Sequence, residues 1–386
     1  MIGTGKTILV LGGGVGGVMA ARELRKRLPA VHRVVLIERS GAFTFAPSYL
    51  WVLTGERSGA SISRPLSRLA RRGIEVVRGS ILRIDAGRRV VEVDGRAVPG
   101  DYLVVALGAE FAPETIPGLA GSGDSLYDLE GAERLRGRLA SLRSGRLAIL
   151  TSAPAYRCPA APYEAAMLIE ALLRKRRVRD QVKLDFYAAE PGPMGVAGPE
   201  VSRAVRGMIE ARGIQYHPEH QIKAVDPGRR ILNFENGASA EFDHLVFVPP
   251  HRAPKVARES GLVAAGGWMQ VDRHTLATPY EHVFAIGDVV SIPLTMGKPL
   301  PKAGVFAHAQ AIVVAKNIAR EITGRGVAAS FGGHGECFVE AGDGRAGFGK
   351  GNFYAEPAPE VRLYPPSWWW HVGKVVLEQY WLRRVF

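Results

Sequence analysis

An α/β architecture of two parallel-sheet units, with a helical segment toward the C-terminus, is predicted by three features of the sequence. A short apolar run, Thr7–Leu11, passes straight into a glycine-rich turn and then into an Ala/Arg/Leu helix. The same strand–helix–strand alternation starts again after Gly118, this time with no glycine in its first turn. Four of the six tryptophans fall within the final 19 residues.

The overall balance fits a globular chain. At 386 residues, 47% apolar and 23% charged, it is long enough for two to three domains and too apolar to be disordered. It holds no stretch of uninterrupted apolar residues long enough for a membrane-spanning helix. Thr7–Leu11 is too short for a secretory core, so no signal peptide is expected. A net charge of +13 points to a basic surface, an anionic substrate or an anionic lipid surface. The basic residues are scattered and no nucleic-acid module is present, so nucleic acid is not expected as a partner. Two cysteines cannot build a disulfide framework or a four-cysteine zinc site, and no metal is expected.

Thr7–Leu11 is continuously apolar, as suits a strand buried on both faces. It enters Gly12-Gly-Gly14-Val-Gly-Gly17, a helix from about Val18 to Leu28, and a second strand, Arg33–Ile37, that ends on Glu38. This order of parts is the Rossmann-like, dinucleotide-binding fingerprint. Gly12 makes the turn, Gly14 admits a pyrophosphate to the backbone, Gly17 lets helix meet strand, and Glu38 is placed for ribose hydroxyls. The helix N-terminus adds N–H donors and a positive dipole end.

Later segments point to FAD as the dinucleotide. Asp101–Ala109 reads as a strand closing in a small-residue turn through Ala106 and Gly108, and His282–Ile286 as a strand closing in Gly287-Asp288. Both resemble recurring motifs of two-dinucleotide-domain flavoproteins. In those proteins the acid of the Gly-Asp pair binds the ribityl chain, and a second Rossmann-like domain is inserted in the first. Pro301-Lys302-Ala-Gly304 opens a helix to about Ile318 whose N-terminus would face the flavin. The expected organisation is an FAD domain over 1–117 and 249–330, an inserted domain over 118–248, and a C-terminal segment over 331–386.

The inserted unit starts with the strand Arg146–Leu150, a helix over about Pro162–Lys175, and the strand Lys183–Tyr187, which ends near Glu190. Its first turn reads Thr151-Ser-Ala-Pro-Ala-Tyr-Arg-Cys158-Pro-Ala-Ala-Pro-Tyr-Glu164. Proline lacks the N–H that cradles phosphate, and side chains block a close approach. NAD(P)H is therefore not expected there. Cys158 lies in this altered turn, and Cys337 lies in Gly335–Glu340. They read either as inert buried cysteines or as a redox pair. The second reading is favoured by Arg157, by Pro159 and by the helix just ahead, features expected to lower the Cys158 thiol pKa.

Toward the C-terminus, Pro365-Pro366 is expected to stop a strand and Ser367 to cap a helix running toward Phe386. His371, Lys374 and Glu378 share one face, and Lys374, Arg383 and Arg384 against Glu378 leave a charge of +2. Two readings stay open. One is an interfacial helix, with Trp368, Trp369, Trp370 and Trp381 at the headgroup level and basic residues toward anionic lipid. The other is an apolar helix at the interface of a homo-oligomer. On the first, removing the segment from Ser367 onward is expected to spare the cysteine centre.

With these pieces in order, the sequence resembles the sulfide:quinone oxidoreductases, relatives of flavocytochrome c sulfide dehydrogenase and of type II NADH dehydrogenases. The likeness is carried by Cys158-Pro-Ala-Ala-Pro-Tyr-Glu164, Pro301-Lys-Ala-Gly304, Cys337-Phe-Val-Glu340, Phe45-Ala-Pro-Ser-Tyr-Leu-Trp51 and the tryptophan-rich tail. It implies a peripheral membrane flavoenzyme in which sulfide attacks a bridge between two cysteines and electrons pass through FAD to a membrane quinone. Cys158 and Cys337 match the two cysteines, Glu164 an acid assigned to proton handling, and Lys302 a lysine near flavin and quinone. The third cysteine of many relatives, and the histidine after it, are replaced by Ser125-Leu-Tyr-Asp-Leu-Glu130. An NADH:quinone oxidoreductase, a flavoprotein serving a cytochrome, and a non-enzymatic redox sensor are the rival expectations.

Overall fold

Along the chain of the computed structural model, which describes residues 5–386, the elements that position the site are β1 (Thr7–Leu11), α1 (Val15–Arg27), β2 (Arg33–Glu38), β3 (Glu75–Arg78), β4 (Tyr102–Val105), β5 (Asp124–Ser125) and β6 (Gly145–Thr151). They continue with α2 (Ala161–Lys175), β7 (Val182–Ala188), β8 (Gln215–His217), β9 (His244–Val248), β10 (Val283–Ala285) and α3 (Gly304–Thr323). Three antiparallel strands, β11 (His334–Gly342), β12 (Arg345–Asn352) and β13 (Glu360–Ser367), precede α4 (Trp368–Tyr380).

Two five-stranded parallel sheets organise the chain. The first runs β10-β4-β1-β2-β3, so a strand from residues 283–285 lies beside strands from residues 7–105. The second runs β5-β9-β6-β7-β8 and draws only on residues 124–248. Ile8, Leu9, Val10 and Leu11 of β1 are completely buried, each adding about 1.5–3 kcal/mol of hydrophobic stabilisation. Helix α1 ends in Arg25-Lys26-Arg27, cations that suit the negative end of its dipole. Helix α2 starts with Pro162 and Glu164 in its first turn and ends in Arg174-Lys175, the complementary polarity. Helix α3 stops at Gly324, whose φ of +68° supplies the left-handed cap.

The C-terminal segment departs from expectation at three points. Pro365 and Pro366 do not stop the strand: β13 runs through both to Ser367. It is the outer strand of β11-β12-β13, where a missing N–H costs no ladder bond. Ser367 precedes α4 without a side-chain capping bond, and its Oγ is buried without a partner. The α-helix ends at Tyr380, and Trp381–Val385 form a π-helical turn. Among the described residues, no helix is long and apolar enough to cross a membrane.

Candidate active site

The C-terminal ends of the first sheet's parallel strands converge on one edge, where doubly wound sheets take their ligands. Gly12 follows β1, Ala106 and Gly108 follow β4, and Gly287-Asp288 follow β10. Gly12 holds φ +105°, and a Cβ on it would sit 2.5 Å from the Ala106 carbonyl oxygen. A Cβ on Gly17 would lie 1.8 Å from the Gly12 oxygen, so helix and turn can touch only because residue 17 is glycine. A Cβ on Gly14 would meet nothing within 4 Å, and that is the open cradle a pyrophosphate needs. The Gly13 N–H donates to Glu38 Oε2 at 2.6 Å, fixing the acid beside the turn. Gly287 N–H donates to Gln310 Oε1 at 2.7 Å, which ties the Gly-Asp turn to α3. Gly304 opens α3 against Val15 of α1.

Lys302 and Asp288 lie together beyond β10. Lys302 Nζ donates at 2.8 Å to the main-chain carbonyls of both Asp288 and Val290, not to the Asp288 carboxylate, and sits 3.4 Å from the Trp268 ring centroid. Burial pulls the ammonium down to about 8, against the pull of Asp288. Burial likewise raises Asp288, with Arg157 and Lys302 opposing. A half-buried carboxylate kept off the adjacent ammonium fits a polyol ligand that brings its own hydroxyl donors.

The second centre joins residues far apart in sequence. Cys158 has φ +47°, a left-handed conformation costing a non-glycine residue roughly 1–2 kcal/mol. It is pinned from several sides. Its N–H donates to the Lys302 carbonyl, Ala161 N–H donates to its carbonyl at 2.9 Å, and Tyr127 Oη donates to the same carbonyl at 3.2 Å. Cys337 comes from β11, which packs on α2, and the two thiols are not bonded to each other. The expected low thiol pKa is not found. Burial pushes Cys158 up to about 12, with Glu164 adding to the shift and Lys374 and Arg157 only partly opposing it. Burial also raises Cys337, followed by the influence of Cys158 and Glu164. The guanidinium of Arg157 lies 5.0 Å from the Phe111 ring and 5.5 Å from Tyr127, and donates to the Tyr127 carbonyl. Desolvation outweighs one cation.

Around the thiols lies a buried charge cluster that the sequence motifs split between three elements. Glu164 Oε1 of α2 accepts from Lys374 Nζ of α4 at 2.8 Å and from the Glu340 N–H of β11 at 2.8 Å. Glu340 pairs with His371 Nδ1 at 3.1 Å and lies 3.9 Å from Lys374. Burial raises Glu340 from its ordinary value, against Lys374. Burial alone would lower Lys374, but Glu164 and Glu340 hold it above its ordinary value. Further along α4, Glu378 is completely buried, accepting from Ser48 Oγ at 2.7 Å and from Arg57 Nε at 3.1 Å. Trp51 of the Phe45–Trp51 segment lies beside His371 and Lys374 of α4.

Helix α4 is thus inverted. The shared face of His371, Lys374 and Glu378 turns inward, while Trp368 (50% exposed), Trp369 (64%), Val372, Val376, Leu377 and Tyr380 face out. The tail is therefore not separable from the cysteine centre, since it supplies Lys374 to Glu164. Trp381 also departs from expectation. It is 3% exposed, stacked on Phe43 at 5.5 Å and edge-on to His308, and belongs to the core. Trp370 stacks on Phe348 at 4.5 Å, so Trp368 and Trp369 remain as the exposed tryptophans of the tail. With Lys374 and Glu378 buried, the exposed cations are Arg383 and Arg384. One signal could have found the inversion: three ionisable residues on a narrow stripe of an otherwise apolar helix, the reverse of a solvated face.

The second sheet repeats the strand–turn–helix plan with the turn filled. Prolines and tyrosines occupy Thr151–Glu164, and Glu190, two residues beyond β7, accepts from Tyr156 Oη, from Tyr163 Oη at 2.6 Å and from Thr151 Oγ1 at 2.9 Å. These hydroxyls take up an acid in the position that reads ribose in a dinucleotide fold.

Comparison with known proteins agrees with this geometry. The family model of pyridine nucleotide-disulphide oxidoreductases matches residues 6–150 and 164–311. A sulfide-quinone reductase of Aquifex aeolicus is 29% identical across 98% of this chain and 91% of its own. The X-ray structure of the sulfide:quinone oxidoreductase from the same bacterium superposes with a TM-score of 0.90 at 27% identity, over 98% of this chain and 91% of that one. A type II NADH:quinone oxidoreductase of Staphylococcus aureus is 23% identical over 85% of this chain and 88% of its own.

Proposed function

The chain belongs to the pyridine nucleotide-disulphide oxidoreductase family, and from that premise we propose that it is an FAD-dependent sulfide:quinone oxidoreductase working at a membrane surface. The observation that carries the reading is that the segments bearing the two cysteines meet at one buried charge cluster: Glu164, six residues past Cys158, accepts from Lys374 and from the N–H of Glu340, three residues past Cys337. The similarity to sulfide-quinone reductase over nearly the whole chain supports it. So does the filled turn of the second sheet, which leaves no glycine cradle for a nicotinamide dinucleotide. The proposed domains are 1–117 with 249–330, 118–248, and 331–386.

FAD fits the first cradle: Gly12, Gly14 and Gly17 would admit its pyrophosphate, Glu38 the ribose, Asp288 the ribityl chain, and Ala106, Gly108, Gly287 and Gly304 the close backbone approaches. When bound, the flavin supplies a two-electron acceptor for sulfur and a donor for quinone. The protein's own part begins with HS⁻ attacking one sulfur of a Cys158–Cys337 disulfide. The S–S bond breaks, leaving a persulfide on the attacked cysteine and a thiolate on the other. Lys374 holds a positive charge within the dry site where that thiolate develops, and Glu164, held by Lys374 and the Glu340 N–H, is the carboxylate at hand for the proton of HS⁻. Lys302 would lie at the flavin beside Asp288. The outward apolar face of α4, with Trp368 and Trp369 at its start and the exposed Arg383 and Arg384 past its end, is proposed to rest on anionic lipid and to admit the quinone nearby.

The test is anaerobic. Sulfide, and in a separate cuvette NADH, is added to the flavin-loaded protein while the oxidised-flavin band is followed. Bleaching by sulfide and not by NADH is expected, and Cys158→Ser and Cys337→Ser should each lose at least about 90% of the rate with flavin retained, a cost of ~1.4 kcal/mol or more. Bleaching by NADH alone, or by sulfide without either cysteine, overturns the proposal.

A further inference from the structure

Strands β2 and β7 hold the same place, fourth in the order of their sheets, and an acid stands at or just past the end of each. Glu38 closes β2 and receives the Gly13 N–H. Glu190 lies just past β7, and its carboxylate already holds three hydroxyls: Tyr156 and Tyr163 on Oε1, Thr151 on Oε2. The three donors bracket the turn that carries Cys158. Thr151 ends β6, Tyr156 lies within the turn, and Tyr163 stands in the first turn of α2. Tyr163 is locked by stacking on Phe186, with ring centroids 4.8 Å apart and planes 13° from parallel. Tyr156 lies edge-on to Tyr127, the residue whose hydroxyl reaches the Cys158 carbonyl. Cys158 therefore sits between two ties to one carboxylate, in a backbone conformation that an unrestrained turn would leave. A carboxylate suits this role because it is acceptor-only and offers both oxygens to several donors at once.

We propose that Glu190 is a positioning residue for the thiol chemistry: clasped by Tyr156, Tyr163 and Thr151 as it would be by ribose hydroxyls, it holds the turn that presents Cys158 to Cys337. The acid of a dinucleotide site has become the anchor of a cysteine loop. The inference rests on the Cys158–Cys337 reading above, so its test has one readout that depends on sulfide chemistry and one that does not.

The experiment compares flavin-loaded wild type with Glu190→Ala, Glu190→Gln and Tyr156→Phe. The first readout is the anaerobic rate of flavin bleaching by sulfide. The second is the rate at which iodoacetamide labels Cys158, read by peptide mass spectrometry in a Cys337→Ser background. Glu190→Ala is expected to bleach at least about tenfold more slowly and to label at least about threefold faster, with flavin content unchanged. Glu190→Gln keeps an acceptor oxygen for both tyrosines and should stay within about threefold of wild type on both readouts, a rescue that bulk alone would not give. Wild-type rates for Glu190→Ala on both readouts overturn the inference. If that variant fails to fold, wild-type rates for Tyr156→Phe overturn it instead. Should sulfide bleach no form of the protein, the proposed function fails, and the labelling contrast still decides the role of Glu190.

Discussion

The two parallel sheets are built on one plan and put to opposite uses. In the first, the turn after β1 is nearly all glycine, and the space beside Gly14 is left open. In the second, the turn after β6 and the start of α2 carry prolines, two tyrosines and a cysteine, and the acid beyond β7 is taken up by the tyrosine hydroxyls. The same frame either makes room for a ligand or fills the room with its own side chains. What differs is the turn: about a dozen residues decide whether the sheet edge binds or reacts.

The comparison breaks most severely at Gly17. A valine there would drive its Cβ into the Gly12 backbone, and neither helix nor turn can yield cheaply. Gly17→Val should lose nearly all bound flavin and several kcal/mol of stability, on the order of the largest single-residue effects. Flavin absorbance after gel filtration and a urea melt check this. An equally damaging substitution anywhere in Thr151–Glu164 that also empties the flavin would blur the division between the halves.

A second break comes from outside both sheets. Lys374→Met leaves Glu164 buried without its cation, and breaking such a pair costs about 3–5 kcal/mol. The melt should shift accordingly while the flavin spectrum of the surviving folded fraction is kept. A loss below about 1 kcal/mol would mean that water reaches Glu164 and the cluster is not dry.

The thiols sharpen the contrast through pH. In reduced Cys337→Ser protein, burial holds the Cys158 thiol near 12, so the reactive thiolate should keep increasing about tenfold per pH unit from pH 8 to 10 without levelling. The sign follows from the raised value: the neutral thiol is favoured until well above the ordinary range. A plateau in the alkylation rate near pH 9 would show an ordinary, solvated cysteine.

The smallest expected effect is at the surface. Trp369, 64% exposed, should cost less than about 0.5 kcal/mol of stability as Trp369→Ala. Its co-sedimentation with anionic vesicles should nonetheless fall several-fold. Unchanged vesicle binding would remove the outward face of α4 from the membrane reading.

Much of the first half was legible in the sequence because its signals are local. Thr7–Leu11 is observed as read, and Arg33–Glu38 extends the reading by one residue, since continuous apolar runs bounded by glycine and charge leave few alternatives. The C-terminal segment was less legible, for three physical reasons. Two prolines on an edge strand lose no hydrogen bond, so they do not act as stops. Trp381 is indistinguishable in sequence from Trp369, and only the partners Phe43 and Phe45 make it core. The Cys158 thiol was misjudged because its burial, which is set by the tertiary fold, outweighs the neighbouring Arg157. Pairings such as Glu164–Lys374 span 210 residues and leave no periodic trace.

That span also orders the protein's manufacture. A ribosome at about 5–20 residues per second needs on the order of 10–40 s to add Lys374 after Glu164. Every residue of the glycine cradle and its Gly-Asp turn, from Gly12 to Gly304, is translated before Lys374. Glu164 and Glu340 therefore wait without their lysine until α4 is made, and Trp381, Leu382 and Val385, which complete the core around the first sheet, follow it. Translation thus completes the residues of the cradle first and supplies the lysine of the charge cluster among the last.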